Sequence, residues 1–411
     1  MYKMTTALAV VGTLGLATPT RAEPITIDQA LERAAHRPSI EITTFDVDEA
    51  RANAQGAALP RYNPEITGSG GPQFGSGAAS LQIQLGLSQT IERGGKRSAR
   101  IQVAESRTRG AEIARRGELL RARVETWRAF ERAIVMNDRW ATRREVEKLA
   151  LALAAAMQKS AQAGGTTKHR LNVIVAEAGR ATQERVTAEA EYAAVRAALA
   201  TAIGAGPTEQ IDPTGPVVDP PTLPANTDEL VARALREHPE VAAADNEVAA
   251  ASARIADADA RGVPDLTLGL GYAYAPDPDG AHAVIGSVSI PLAFRNRNEG
   301  ERAAARVGAK RAQVERAYER VEIERAVRFA IDNYQRASAA VAGFDREVTE
   351  HLNENLAAAQ DAFSKGGLDF VELTTTQRDL TASRIAFLDA RLALIDAWSA
   401  LALATTMEVL P

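Results

Sequence analysis

Two stretches of this chain, residues 73–206 and 292–410, contain no proline. An interior proline costs a helix about 3 kcal/mol, so proline-free spans this long, rich in Ala, Arg, Glu and Leu, select for extended helix. Between them, residues 204–226 hold six prolines and three glycines, the composition of a linker. The spacing predicts one helix over 97–163, whose 67 residues would run roughly 100 Å at ~1.5 Å per residue. Helices over 166–203 and 27–57, stacked end to end, nearly equal that length. In the second half, 300–365 faces 368–405 and 227–261 in the same way. Mean globular helices span about 11–12 residues, so these lengths point to an elongated helical assembly.

The chain also repeats itself at an offset of about 200 residues. Ile27-Asp28-Gln29-Ala30-Leu31 leads to His36-Arg37-Pro38, and Thr227-Asp228-Glu229-Leu230-Val231 leads to His238-Pro239. Pro64-Glu65-Ile66-Thr67 matches Pro264-Asp265-Leu266-Thr267, and Ala163-Gly164-Gly165 matches Lys365-Gly366-Gly367. Two tandem units follow, 23–203 and 227–411, joined by the linker over 204–226.

Within each unit the period switches from helix to strand. Leu81, Ile83, Leu85 and Leu87 alternate with polar or small residues, as do Leu266, Leu268, Leu270, Tyr272 and Tyr274. Val284, Val288 and Ile290 continue the second pattern. Hairpins are expected over 64–90 and 265–291, although Pro72 weakens the first strand. Strands of this length suffice to cross a membrane on a tilt. In that setting Leu268, Leu270, Tyr272 and Tyr274 would face lipid, with Thr267 and Gly269 toward water. Four strands cannot close around a lumen, and an open sheet in lipid leaves unsatisfied edges, so membrane strands demand oligomerisation.

At the N-terminus, Lys3, the uncharged run over 7–17 and Thr20-Arg21-Ala22 read as a secretory signal peptide over 1–22. The net charge of −5 gives no basis for nucleic-acid binding. The absence of cysteine excludes disulfides, thiolate chemistry and an acylated cysteine anchor. His36, His169, His238, His282 and His351 are scattered, without ligand spacing, and no nucleophile elbow is present. No enzyme activity, metal site or cofactor is expected.

The segment 88–97 (Ser-Gln-Thr-Ile-Glu-Arg-Gly-Gly-Lys-Arg), its counterpart over 289–300 and the paired Gly-Gly turns resemble the TolC-type outer-membrane efflux factors, most closely their cobalt-zinc-cadmium resistance branch. The resemblance implies a mainly α fold with a small β part: a trimeric helical periplasmic barrel joined to a 12-stranded outer-membrane β-barrel, four strands per chain. It further implies a homotrimer in outer-membrane lipid, working with a periplasmic adaptor and an inner-membrane RND-type pump as a passive exit duct for heavy-metal cations. Gly164, Gly165, Gly366 and Gly367 would form the adaptor-docking tips. Acidic residues line the periplasmic constriction of such proteins; Glu372 matches the first of them, while Thr375 stands where the second would be. Arg170, at the equivalent place in the first unit, carries the opposite charge, so Arg170, Asp369 and Glu372 are the gate candidates. A periplasmic coiled-coil structural or adaptor protein, and a duct for drugs or secreted proteins, are the alternatives. The former would ordinarily show one helical hairpin flanked by unrepeated β modules.

Overall fold

The structure, a computed structural model, describes residues 23–73, 80–224, 226–275, 281–344, 354–355, 358–359, 361–363, 365, 367 and 370–408. The expected signal peptide, Gly366 and Asp369 lie outside the described residues. In chain order the elements are β1 (Glu23–Ile25), α1 (Ile27–Ala34), α2 (Pro38–Ala57), β2 (Glu65–Gln73), β3 (Ser80–Ile91), α3 (Lys96–Gln162) and α4 (Lys168–Ala202). Then come β4 (Ile211–Pro213), α5 (Asp228–Glu237), α6 (Pro239–Arg261), β5 (Leu266–Ala275), β6 (Ala281–Ser289), α7 (Glu299–Ala342) and α8 (Phe370–Thr405). The fold is mainly helical with a small sheet.

Three expected elements are corrected. Residues 27–57 and 227–261 each form two helices, because Arg37 and His238 are extended (ψ 152° and 130°). A following proline ring disfavours the helical conformation in the residue before it. The helix expected over 300–365 ends at Ala342, where the Gly343 N–H bonds the Ala339 carbonyl at 3.0 Å. The α3 helix, by contrast, runs unbroken for 67 residues.

Two compact units divide the chain, and each draws on both sequence halves. One comprises the described residues up to Ala34 with Glu125–Asp219 and Phe344–Leu392; the other comprises Ala35–Val124, Pro220–Gly343 and the described residues from Ala393 onward. In the first, β1 pairs in parallel with β4, and Ile25, Ala30, Phe130, Ile134, Leu199 and Ile211 form its apolar cluster. Farther along α3 and α4, small residues Ala150, Ala178 and Ala181 let the two helices pack tightly.

The second unit holds a four-stranded antiparallel sheet in the order β2-β3-β5-β6. Pro72 pairs opposite Leu81 on β2, an edge strand, where a missing N–H is tolerated. The helices leading to and from these strands are linked in the same order. On α3, the Thr108 hydroxyl donates to the Ala50 carbonyl of α2 (3.2 Å), and Asn246 of α6 donates to the Ser106 carbonyl of α3 (3.0 Å). Arg302 of α7 pairs with Asp259 of α6 at 2.5 Å. The core of this unit includes Val241, Val327, Tyr334 and Trp398, with the last two rings 5.5 Å apart.

Sheet and helices meet at the Gly-Gly segment after β3. Gly94 (φ +72°) and Gly95 (φ +76°) turn the chain into α3. Asp265, just before β5, accepts from Lys96 Nζ at 2.7 Å, the Arg93 N–H at 3.2 Å and the Tyr62 hydroxyl at 3.2 Å. Burial opposes its charge, yet these donors hold its carboxyl below the usual carboxylate range. Arg100 pairs with Glu92 (2.6 Å) and, with Arg97, donates to the last carbonyls of the α2 segment, Ala57, Ala58 and Leu59. At the second junction Asn298 adopts φ +65° and its side chain donates to the Ala258 carbonyl at the end of α6. A Cβ at Gly94 would lie 2.5 Å from Val263. Gly94→Ala is therefore expected to lose at least about 1–2 kcal/mol, while Gly56→Ala, in open space within α2, gains up to about 1 kcal/mol. Thermal unfolding in detergent checks this; equal melting temperatures for the two variants contradict it.

Candidate functional site

The sheet has two chemically distinct faces. Register pairs Ile66 with Leu87, Leu87 with Leu270, Leu85 with Tyr272 and Ile83 with Tyr274, and β6 adds Val288 opposite Leu268 and Val284 opposite Tyr272. All four expected face residues, Leu268, Leu270, Tyr272 and Tyr274, therefore share one side with the apolar residues of three strands. That face is bare: Leu270 is 62% exposed, Val284 75% and Val288 70%. The opposite face carries Thr67, Gln82, Gln84, Ser88, Thr90, Thr267 and Ser287 with several glycines; Ile285 is its one large apolar member among the described residues. Thr90 and Thr267 share a hydrogen bond there at 2.9 Å. Strand alternation, two residues per repeat, sorts the two chemistries. At the end of the apolar face, His282 lies 5.1 Å from the Tyr274 ring and bonds the Tyr272 hydroxyl.

The turn after α3 is a Schellman motif. The Gly165 N–H bonds the Ser160 carbonyl (2.8 Å), the Gly164 N–H bonds Ala161 (3.1 Å), and Gly164 takes φ +79°. Gly367 repeats the longer bond, to Ala362 at 2.8 Å. Of these residues only Gly164 has the left-handed geometry that favours glycine; Gly165 and Gly367 have close neighbours instead. Thr167 caps α4 by accepting from the Arg170 N–H at 3.3 Å, so Arg170 sits in its first turn. Glu372 lies exposed in the first turn of α8.

Farther along the same helices is a charge chain that the sequence reading missed. Arg143 of α3 pairs with Glu184 of α4 (2.6 Å), Glu184 with Arg180 (2.5 Å), Arg180 with Glu177, and Glu177 with Arg378 of α8 (3.2 Å). Together these side chains and the buried Gln377 and Thr381 border a cavity of about 150 Å³. The links within α4, Arg180 to Glu177 and Glu184, have ordinary helical spacing, but the links to Arg143 and Arg378, 41 and 201 residues away, are revealed only by the fold.

Glu131 is a second group that sequence did not single out. It is fully buried on α3, one carboxylate oxygen accepting the Val218 N–H at 3.1 Å and the other without a hydrogen-bond partner. Burial pushes its pKa up to about 7, opposed by the Val218 N–H and Arg391 and reinforced by Asp219. Asp219 itself pairs with Arg391 of α8. The folded chain thus keeps a proton that the unfolded chain sheds near pH 4.5, so stability falls as pH rises from about 4.5 to about 7 and then levels off. Glu131→Gln should flatten that slope and raise stability at pH 8 by up to about 3 kcal/mol. Denaturation across pH 4–8 measures it; a variant with the parent slope contradicts the assignment.

No helix among the described residues is long and apolar enough to cross a membrane, and no cluster of three or more His, Asp or Glu side chains among them is suited to a metal. The outer membrane efflux protein family matches residues 230–406. The chain is 26% identical over 377 residues to the cobalt-zinc-cadmium resistance protein CzcC of Cupriavidus metallidurans, covering 89% of this chain and 86% of that protein. It is 29% identical over 284 residues to the nickel and cobalt resistance protein CnrC of the same organism, covering 64% and 62% respectively. Its fold matches the outer-membrane channel OprN with a TM-score of 0.75 at 17% identity, over 94% of this chain and 91% of that one. The bare apolar sheet face and these likenesses together support a CzcC-like outer membrane efflux protein.

Proposed function

We propose that this chain is the outer-membrane channel of a tripartite efflux system, a passive trimeric duct exporting heavy-metal cations. The observation that carries it is the four-stranded sheet with one bare apolar face, one polar face and two open edges. Such a sheet suits lipid outside and water inside only when its edges pair, and three copies supply the 12 strands of a closed barrel. The metal cargo is carried over from CzcC and CnrC, a cobalt-zinc-cadmium and a nickel and cobalt resistance protein. Energy comes from an inner-membrane RND-type pump, reached through a periplasmic adaptor that meets the turns at Gly164, Gly165, Gly366 and Gly367. Export depends on a cleaved signal peptide over 1–22, and the two tandem repeats supply equivalent halves of each protomer's wall.

The experiment is metal accumulation in a strain lacking the chain, complemented with wild type, Leu270→Arg or Gln84→Arg. Leu270 lies on the apolar face and Gln84 on the polar one; Gly269 is a poorer control, because a Cβ there would lie 2.4 Å from Ser287. A charge in lipid near the midplane costs about 2–4 kcal/mol. Wild type and Gln84→Arg should restore low zinc, cobalt or cadmium, and Leu270→Arg should fail to reach the membrane. Unchanged metal levels on deletion contradict the cargo, and equal assembly of the two variants contradicts the faces.

The gate is placed at Arg170, Asp369 and Glu372, backed by the Glu177–Arg378 pair joining α4 to α8. One exposed pair contributes only ~0–1 kcal/mol, but three copies acting together bias a marginal closed state. In planar bilayers, Arg378→Ala and Glu372→Gln with Asp369→Asn should each raise the open probability of the purified trimer. Conductance that stays at the closed level in both removes these charges from the gate.

A further inference from the structure

We infer that the helix-side rim of the sheet seats the chain on anionic phospholipid: Leu292 and Phe294 enter the acyl layer at the periplasmic face of the membrane, and Arg61, Arg93 and Arg295 bind the lipid phosphates. The inference rests on the lipid-facing reading of the sheet above and adds the class of headgroup that the chain takes.

Strands β2 and β5 start, and β3 and β6 end, at the same end of the sheet, so the junctions over 58–64, 92–95, 262–265 and 290–298 form one rim. The apolar face continues into it. Val284 and Val288 alternate onto that face, Ile290 is next in the same period, and Leu292 and Phe294 follow. Beyond β6 the Phe294 N–H bonds the Leu292 carbonyl at 3.0 Å. Leu292 is 77% exposed and Phe294 70%, both more than Leu270 within the face. Height agrees with a place among headgroups. Leu266 to Tyr274 covers about 27 Å along β5 at ~3.4 Å per residue, or about 21 Å in height at a tilt of ~40°. Outer-membrane barrels carry an apolar band about 25 Å tall with aromatic girdles at both interfaces. Tyr272 and Tyr274 stand at the far end of the face, and Phe294 is their counterpart at the rim. Bare apolar side chains continuous with a bare apolar face mark a surface that meets another phase.

Charge selects the headgroup. The carboxylates of the rim are engaged: Glu92 by Arg100, Asp265 by Lys96 and Glu299 by the Arg297 N–H. Glu65 sits opposite Ser88 and so on the polar face. Arg61, Arg93 and Arg295 are exposed on three of the four junctions, and none of their guanidinium groups has an ion pair among the described residues. Arg61 lies 5.9 Å from the Tyr62 ring, and Arg295 lies 5.9 Å from the Phe294 ring. An arginine stacked on an aromatic ring suits the boundary between acyl chains and headgroups. The ring takes the apolar side, and the planar guanidinium meets phosphate oxygens two at a time. A zwitterionic headgroup brings its own ammonium beside the phosphate, so three unpaired cations favour an anionic one.

The chain contains no cysteine, so a single introduced one carries a spin label without background. Phe294→Cys and Leu270→Cys, each labelled with a nitroxide, are reconstituted in vesicles of phosphatidylethanolamine and phosphatidylglycerol. Power saturation compares collisions with oxygen, which concentrates in lipid, against collisions with a water-soluble nickel chelate. Both labels should collide mainly with oxygen. If Leu270 meets oxygen and Phe294 the chelate, insertion of the rim is overturned while the lipid face stands. If Leu270 also meets the chelate, the lipid face itself fails. A Phe294 label shielded from both reagents marks a protein contact and overturns lipid as the occupant. The charges are read separately, by radiolabelled phosphatidylglycerol retained on the purified protein in neutral detergent. Arg61→Gln with Arg93→Gln and Arg295→Gln should lower retention roughly fivefold for each arginine removed. The single variant Arg295→Gln, expected to lose roughly fivefold, serves if the triple variant does not assemble. Unlabelled phosphatidylcholine and inorganic phosphate should compete poorly with wild type. Retention unchanged in the variants overturns the arginine assignment, and displacement by inorganic phosphate at equal concentration overturns lipid as its ligand.

Discussion

A strand edge placed in hydrocarbon has no water to satisfy its N–H and C=O groups, and the proposed trimer is built on that requirement. The sheet is amphipathic in the sense that lipid demands, with Leu270, Val284 and Val288 bare on one side and Gln84, Ser88 and Thr267 on the other. Four strands leave β2 and β6 with one open flank each. In the proposed trimer further copies close these edges, and the helical tracks that enter and leave the strands continue into the same ring.

The junction between sheet and helices must hold the two layers in register, because an error there would move every strand relative to its track. Asp265 does this from the second half of the chain by gripping Lys96 and the Arg93 N–H of the first. The two halves solve the same turn differently: glycine takes the left-handed position at Gly95, and Asn298 takes it in the second half, using its amide to cap α6.

Long-range order in the sequence was legible where physics is local. Proline-free spans marked α3, period-two alternation marked β3 and β5, and Gly-Gly marked the end of α3. The breaks before Pro38 and Pro239 were equally visible in the residues, but counting helix length passed over them; the residue before a proline leaves the helix whatever the surrounding propensity. The end of α7 at Gly343 carried only a single glycine as warning. Ion pairs such as Arg143–Glu184 and Glu177–Arg378, and the burial of Glu131, depend on which helices become neighbours, and no spacing in one chain encodes that. The gate candidates Arg170 and Glu372 were found by counting from the glycine turns, a local rule, whereas the charge chain beside them required the fold.

The central claim is that three copies close one barrel. Native mass spectrometry of the protein released from lipid nanodiscs measures the copy number directly, without cross-linkers or substitutions. The account predicts a single dominant species with three times the mass of the mature chain, persisting until the lipid is removed and the trimer is heated. A dominant monomer or dimer in lipid would leave too few strands for the predicted barrel and contradict the account at its root.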